Sequence, residues 1–195
     1  KCFHSQKQSD KSIMISQVAL SLTEKNGLII RKIELLLNLA IIHIDLQNFS
    51  TASEILDSVT PLLDKTSGFD YYNLKIHYLF VFARYYEQQD LYNQSASCIE
   101  ATIPLCKKIY PPNSKEMQRV YEQAIYLYSR SLKQEKLEMM IDDVSVNMKP
   151  TPFMKKCLIN SYMMNDMYDQ AIPILEKMIR EEEEVKFSLI TLQEC

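Results

Sequence analysis

The sequence predicts an all-α chain, a solenoid of stacked helix-turn-helix units, and three observations carry that prediction. Glycine is scarce: the 195 residues contain 2, Gly27 and Gly68. Phosphate-cradling loops, dinucleotide-binding turns and tight β-hairpins need glycine where φ is positive or where backbones approach closely, so two isolated glycines speak against all three. Hydrophobic residues make up 47% of the chain, enough to fill a core and too much for disorder. The chain also repeats itself at an offset of 43 residues: Asp57–Lys65 realigns with Glu100–Lys108, and Ala40, Phe49 and Leu56 realign with Ala83, Tyr92 and Ile99.

Taken in order, Ser12–Lys25 and Gly27–Asp45 read as the leading helices. A polar turn, Asp45-Leu46-Gln47-Asn48, opens the next helix, and Gln88-Gln89-Asp90-Leu91 does the same one repeat later. Pro111-Pro112-Asn113 and Pro150-Thr151-Pro152 bracket a further pair, Ser114–Ser131 and Glu135–Val146, with Ser114 as an N-cap. A third copy of the proline-bearing helix, Met167–Leu175, follows the turn at Asn165-Asp166. About nine helices result, in units of about 30–66, 70–109, 114–147 and 152–182 within a single domain, 1–195. One such unit cannot bury its own apolar face, so neighbours must stack. With Lys1 in place of Met at the start and an apolar stretch before Cys195, the chain is expected to be a fragment of a longer protein.

The residues at the close-packing positions are Leu36, Leu39, Ala40, His43, Phe49, Ala52, Leu56 and Val59 in the first unit. In the second they are Leu79, Phe82, Ala83, Tyr86, Tyr92, Ser95, Ile99 and Thr102, and in the last Leu158, Ile159, Tyr162, Tyr168, Ala171, Leu175 and Met178. This pattern resembles the tetratricopeptide repeat (TPR) over roughly residues 30–110 and 150–182, in an elongated form whose period is 43 where the family's is about 34. The resemblance implies a right-handed superhelix that presents a concave face to partners. Phe49–Met140 loosely resembles the helical region of anaphase-promoting complex subunit 5, a ubiquitin-ligase component of the cell cycle. Leu79–Pro112 resembles the N-terminal solenoids of proteasome-lid subunits.

The family's carboxylate clamp needs Lys and Asn donors converging from the inner helices. The matching positions hold Glu34, Leu37, Asn38 and Ile41, then His77, Phe80, Val81 and Arg84, and only the last unit offers Lys156 and Asn160. A tail clamp is therefore not expected. The candidate partner-binding residues are His77, Phe80, Arg84, Lys156, Asn160, Met163 and Met164. A stripe of Tyr71, Tyr78 and Tyr85, with Tyr72, Phe80, Phe82 and Tyr86 beside it, reads chiefly as inter-helix packing. The methionines crowded between Met139 and Met178 read as core first and adaptable groove second, with Met163 and Met164 as the exposed pair. The acidic run Glu181–Glu184 reads as a solvated helix end.

No enzyme, cofactor or metal is expected. Cys2 and His4 lack a second pair, while Cys98 and Cys106 point roughly 80° apart on an ideal helix. His4, His43 and His77 have no local nucleophile or acid. A net charge of −3 speaks against nucleic acid, and no apolar run spans a membrane. Five cysteines without a CxxC motif read as reduced thiols, which places the chain inside the cell, in cytoplasm or nucleus. The expected function is a non-enzymatic interaction scaffold, a subunit of a multiprotein complex that holds other subunits or a peptide or helix of a partner. The alternative, from resemblance to quorum-sensing regulators, is the peptide-sensing helical-repeat domain of a bacterial transcription regulator.

Overall fold

The computed structural model describes the backbone of residues 2–131 and 133–180, and the side chains of these apart from 2–10 and 147. Nine helices occur among the described residues, and no strand. They are α1 (Cys2–Lys25), α2 (Ile29–Asp45), α3 (Phe49–Leu63), α4 (Gly68–Glu87), α5 (Tyr92–Ile109), α6 (Lys115–Arg130), α7 (Gln134–Asn147), α8 (Pro152–Met164) and α9 (Tyr168–Arg180). The chain belongs to the all-α solenoid class, and divides after Ile109 into two compact units.

In the first unit, α2 contributes Ile33, Leu37, Ala40 and Ile44, spaced to share one helix face. They meet Ala52, Leu56, Val59 and Leu63 of α3 and Leu74, Tyr78 and Val81 of α4 in one buried cluster. Each large aliphatic side chain so buried contributes about 1.5–3 kcal/mol relative to exposure. Small residues at Ala40 and Ala52 let the backbones approach. The buried Ser95 hydroxyl of α5 donates to the Ala83 carbonyl at 2.8 Å, satisfying a polar group that burial would otherwise penalise.

The turns explain how a repeat with so little glycine closes. Gln47, Asp90 and Asp166 stand at the same place after α2, α4 and α8, with φ of 59°, 58° and 58°. In each turn the next amide reaches back five residues: Asn48 N–H to the His43 carbonyl, Leu91 to Tyr86, and Met167 to Tyr162, at 2.8, 3.0 and 2.9 Å. This is the Schellman closure, which favours glycine at the left-handed position. Gly27 (φ 66°) fills it after α1, where the Leu28 amide donates to the Thr23 carbonyl. The left-handed Asp90 and Asp166 carboxylates also accept from Tyr92 and Tyr168 two residues on.

In the second unit the predicted Ser114 cap forms, its hydroxyl accepting from the Met117 amide at 3.2 Å. Thr151 caps α8 in the same way, ahead of Pro152, whose missing N–H costs nothing in the first turn. Met117, Tyr121, Ile125 and Leu127 of α6 are fully buried with Leu137 of α7 and Met154 of α8. Polar ties fix α7 against its neighbours: Tyr121 donates to the Asp143 carboxylate, and Ser161 Oγ donates to Gln134 Oε1 at 2.6 Å. The three helix-interior prolines, Pro61, Pro104 and Pro173, all face solvent, where water can serve the carbonyl each one orphans.

Candidate functional site

Within the first unit, α2 and α4 pack against each other and share an exposed face. From α2 it carries Glu34, Asn38, Ile41 and Asp45, at helical spacing; from α4 it carries His77, Phe80 and Arg84. Arg84 donates to Asp45 Oδ1 through Nε at 3.1 Å and Nη2 at 2.6 Å. Glu34 holds Arg31 at 2.7 Å. Burial pushes the half-buried His77 imidazole below its ordinary value, and the nearby Glu34 carboxylate opposes that shift. Both carboxylates of this face thus have a cation of the same unit beside them.

Within the second unit, α6 and α8 also pack together. Arg119, Gln123, Tyr126 and Arg130 share one side of α6; Phe153, Lys156, Asn160 and Met164 share one side of α8. The Tyr126 and Phe153 rings join the two sides, with centroids 6.5 Å apart. Phe153 is 45% exposed and Met164 63%. Three of these eight positions are cations, and the exposed Glu116 lies one turn before Arg119 on the same side of α6. Glu122 stands at the edge, where its Oε1 accepts from Gln118 and from Thr151.

The structure therefore gathers His77, Phe80 and Arg84 on α4 in one unit, and Lys156, Asn160, Met163 and Met164 on α8 in the other. Met164 is exposed and Met163 half-buried. Sequence reasoning missed Asp45, Tyr126, Phe153 and the two α6 arginines. It also missed a stripe on α1, where Met14, Ile15, Val18 and Leu22 are 64%, 66%, 57% and 53% exposed. Their spacing was the available signal, since residues 14, 18 and 22 return to one helix face.

The tyrosine stripe is packing. Tyr78 is buried and its hydroxyl lies 2.8 Å from Thr60 Oγ1, while Phe82 meets Tyr78 edge-on at 4.9 Å and Tyr85 contacts Phe49 at 5.9 Å. Burial pushes the thiols of Cys98, Cys106 and Cys157 up to about 11, far from the range of a reactive thiolate. Among the described residues no cluster of three or more His, Cys, Asp or Glu side chains could hold a metal ion. Cys2 and His4 lie outside the described side chains, and Glu181–Glu184 outside the described residues. A groove of about 760 Å³ opens between Gly27–Glu34 and Lys65–Asp70, lined by charges of both signs (Arg31, Lys65, Glu34 and Asp70).

No protein-family profile matches the sequence, and no curated protein does. Solved structures do match. A kinesin light chain-type protein of Podosopora anserina, described by its nearly identical TPR-like repeats, aligns over 93% of this chain and 92% of its own, with TM-score 0.66 and 13% identity. BtubC (BKLC) of P. vanneervenii aligns over 89% of this chain and 70% of its own, with TM-score 0.62 and 12% identity.

The fold is TPR-like. At these identities the likeness speaks for the fold alone, and it lends no support to the anaphase-promoting complex resemblance. It also accounts for the shared architecture of the two faces: in a TPR-like pair the first helix of one unit packs beside the first helix of the next, as α2 does with α4 and α6 with α8. No described helix is long and apolar enough to cross a membrane.

Proposed function

We propose that the protein is a non-enzymatic interaction scaffold, a TPR-like subunit of a multiprotein assembly inside the cell. The observation that carries this is the α1 stripe. Four large apolar side chains, each more than half exposed, stand together on one helix, and contiguous exposed apolar surface marks a protein-binding face. The TPR-like fold and the exposed Phe153 and Met164 support it. A cell-cycle ubiquitin-ligase setting is the narrower form, supported by the sequence resemblance over Phe49–Met140 alone.

The test is purification of the natural protein at endogenous level, with size measurement and mass spectrometry. The expected result is a stoichiometric assembly with other proteins, from which a Val18→Glu variant is released. A protein that runs alone, with and without the substitution, would contradict the scaffold. Tight binding of a short secreted-type peptide with a rise in melting temperature would point to the regulator domain instead.

A further inference from the structure

The α1 stripe has the spacing of a face that another helix covers. Ile15, Val18 and Leu22 repeat the intervals of Leu56, Val59 and Leu63 on α3 and of Ile99, Thr102 and Cys106 on α5. Those six are buried, and α3 and α5 pack against α2 and α4, the first helices of their own units. Among the described residues α1 packs against α2 alone, and its more covered side holds Ile13, Leu20 and Thr23. The opposite side, with Met14, Ile15, Val18 and Leu22, is the one a first helix covers on α3 and α5. A helix suits such a face because it satisfies its own backbone groups; an extended segment would find no free edge on α1 to pair with.

Charge narrows the partner further. Between residues 11 and 25 the charged side chains of α1 are Lys11, Glu24 and Lys25. Glu24 accepts from Lys32 of α2 at 2.7 Å. Lys11 and Lys25 are exposed and form no ion pair among the described residues. Lys11 lies three residues before Met14 and Lys25 three after Leu22. The two cations therefore bracket the stripe on its own face, about 21 Å apart along the helix. A second copy of the chain fits badly: antiparallel pairing centred on Val18 sets Lys11 against Lys25, and parallel pairing sets each against itself. A lipid surface favours cations along the polar face and aromatic anchors, and the residues between Lys11 and Lys25 offer neither within α1.

We propose that the α1 stripe binds an amphipathic helix of a partner protein whose apolar side carries an Asp or Glu at each end, about four turns apart. Its apolar side chains cover Met14, Ile15, Val18 and Leu22, and its two carboxylates meet Lys11 and Lys25. This rests on the scaffold function and names the partner of that same surface.

Two synthetic helical peptides with blocked ends, titrated against the intact chain by fluorescence anisotropy, provide the test. Both carry the same leucine stripe on an alanine-rich helix; one has Glu and the other Lys at the two bracketing positions. The Glu-ended peptide is expected to bind about tenfold more tightly than the Lys-ended one, with a preference that shrinks as salt rises. The double variant Lys11→Glu, Lys25→Glu should reverse that order, and Val18→Glu should abolish binding of both. Circular dichroism confirms that the variants fold. Equal affinity for the two peptides, an unchanged order in the double variant, or no binding of either would overturn the proposal. Equal affinity for a Glu-ended peptide broken by a central proline would overturn the helical form of the partner. Dimerisation of the chain that Val18→Glu abolishes, or Val18-dependent binding to vesicles of anionic lipid, would assign the stripe to another occupant and overturn it too. The scaffold function is read separately, from the native assembly and its release by Val18→Glu. Release without any peptide preference would sink the charge pattern alone, whereas a natural protein that runs alone would sink the scaffold.

Discussion

The α2–α4 and α6–α8 faces are the same architectural element used in two ways. Each joins the first helices of adjacent helix pairs, over a core in which Leu37 or Met154 is completely buried. On α2–α4 the outward charges are cross-linked, Asp45 to Arg84, and the apolar positions Ile41 and Phe80 are half-covered. On α6–α8 the outward residues include Arg119, Arg130, Lys156 and Glu116, and Phe153 and Met164 are exposed. In a repeat protein the buried positions of every unit answer to the same packing demand. The outward positions answer to whatever each unit meets. Equivalent helix pairs can therefore carry different outward side chains over the same kind of buried core.

The largest effect tests the shared half of that comparison. Leu37→Ala and Met154→Ala should each destabilise the chain by about 2–5 kcal/mol, since each empties a fully buried site. Urea unfolding followed by circular dichroism measures both. A loss below about 1 kcal/mol at either site would show that its face does not rest on the packed core described.

Thiol chemistry probes the same burial without mutation. Cys98, on the first unit, and Cys157, on the second, are both pushed up to about 11 by burial. At pH 8 iodoacetamide should label them at least about tenfold more slowly in the folded chain than in urea, as read by peptide mass spectrometry. Equal rates in the two states would contradict the placement of that cysteine.

Acid should distinguish the faces. Burial lowers the His77 pKa in the folded chain, so the unfolded state takes up its proton more readily. The stability this group contributes is present above its ordinary value of 6.5 and is lost as pH falls below it toward the folded value. His77→Gln should flatten the pH dependence of the urea midpoint below its ordinary value of 6.5; an unchanged slope would remove His77 as its source. The smallest effect concerns the ion pair. Asp45 and Arg84 are each about half exposed, so a double-mutant cycle with Asp45→Asn and Arg84→Met should give a coupling of about 0.2–1 kcal/mol that shrinks with salt.

Much of the fold was legible because the core positions recur at a fixed offset: Ala40 and Ala83, Leu56 and Ile99 are all buried. The cap at Ser114 was equally local. The closure of the turns was not, because Gln47, Asp90 and Asp166 occupy a conformation in which glycine is the usual signal. The candidate residues of α4 and α8 came from the inner-helix positions that the resemblance to the repeat family implies. Their neighbours were hidden, since Asp45 reaches Arg84 from another helix and Tyr126 meets Phe153 across a helix boundary. Such pairings depend on packing geometry that spacing within one helix does not encode. The α1 stripe was visible in the spacing of Met14, Val18 and Leu22, but only exposure separates an interaction face from a core face.

Amide hydrogen exchange on the intact chain tests most directly whether the two faces rest on equally packed cores. Slow exchange around Leu37 of α2 and Met154 of α8 alike, both fully buried, is the predicted result. Fast exchange at either helix would contradict it.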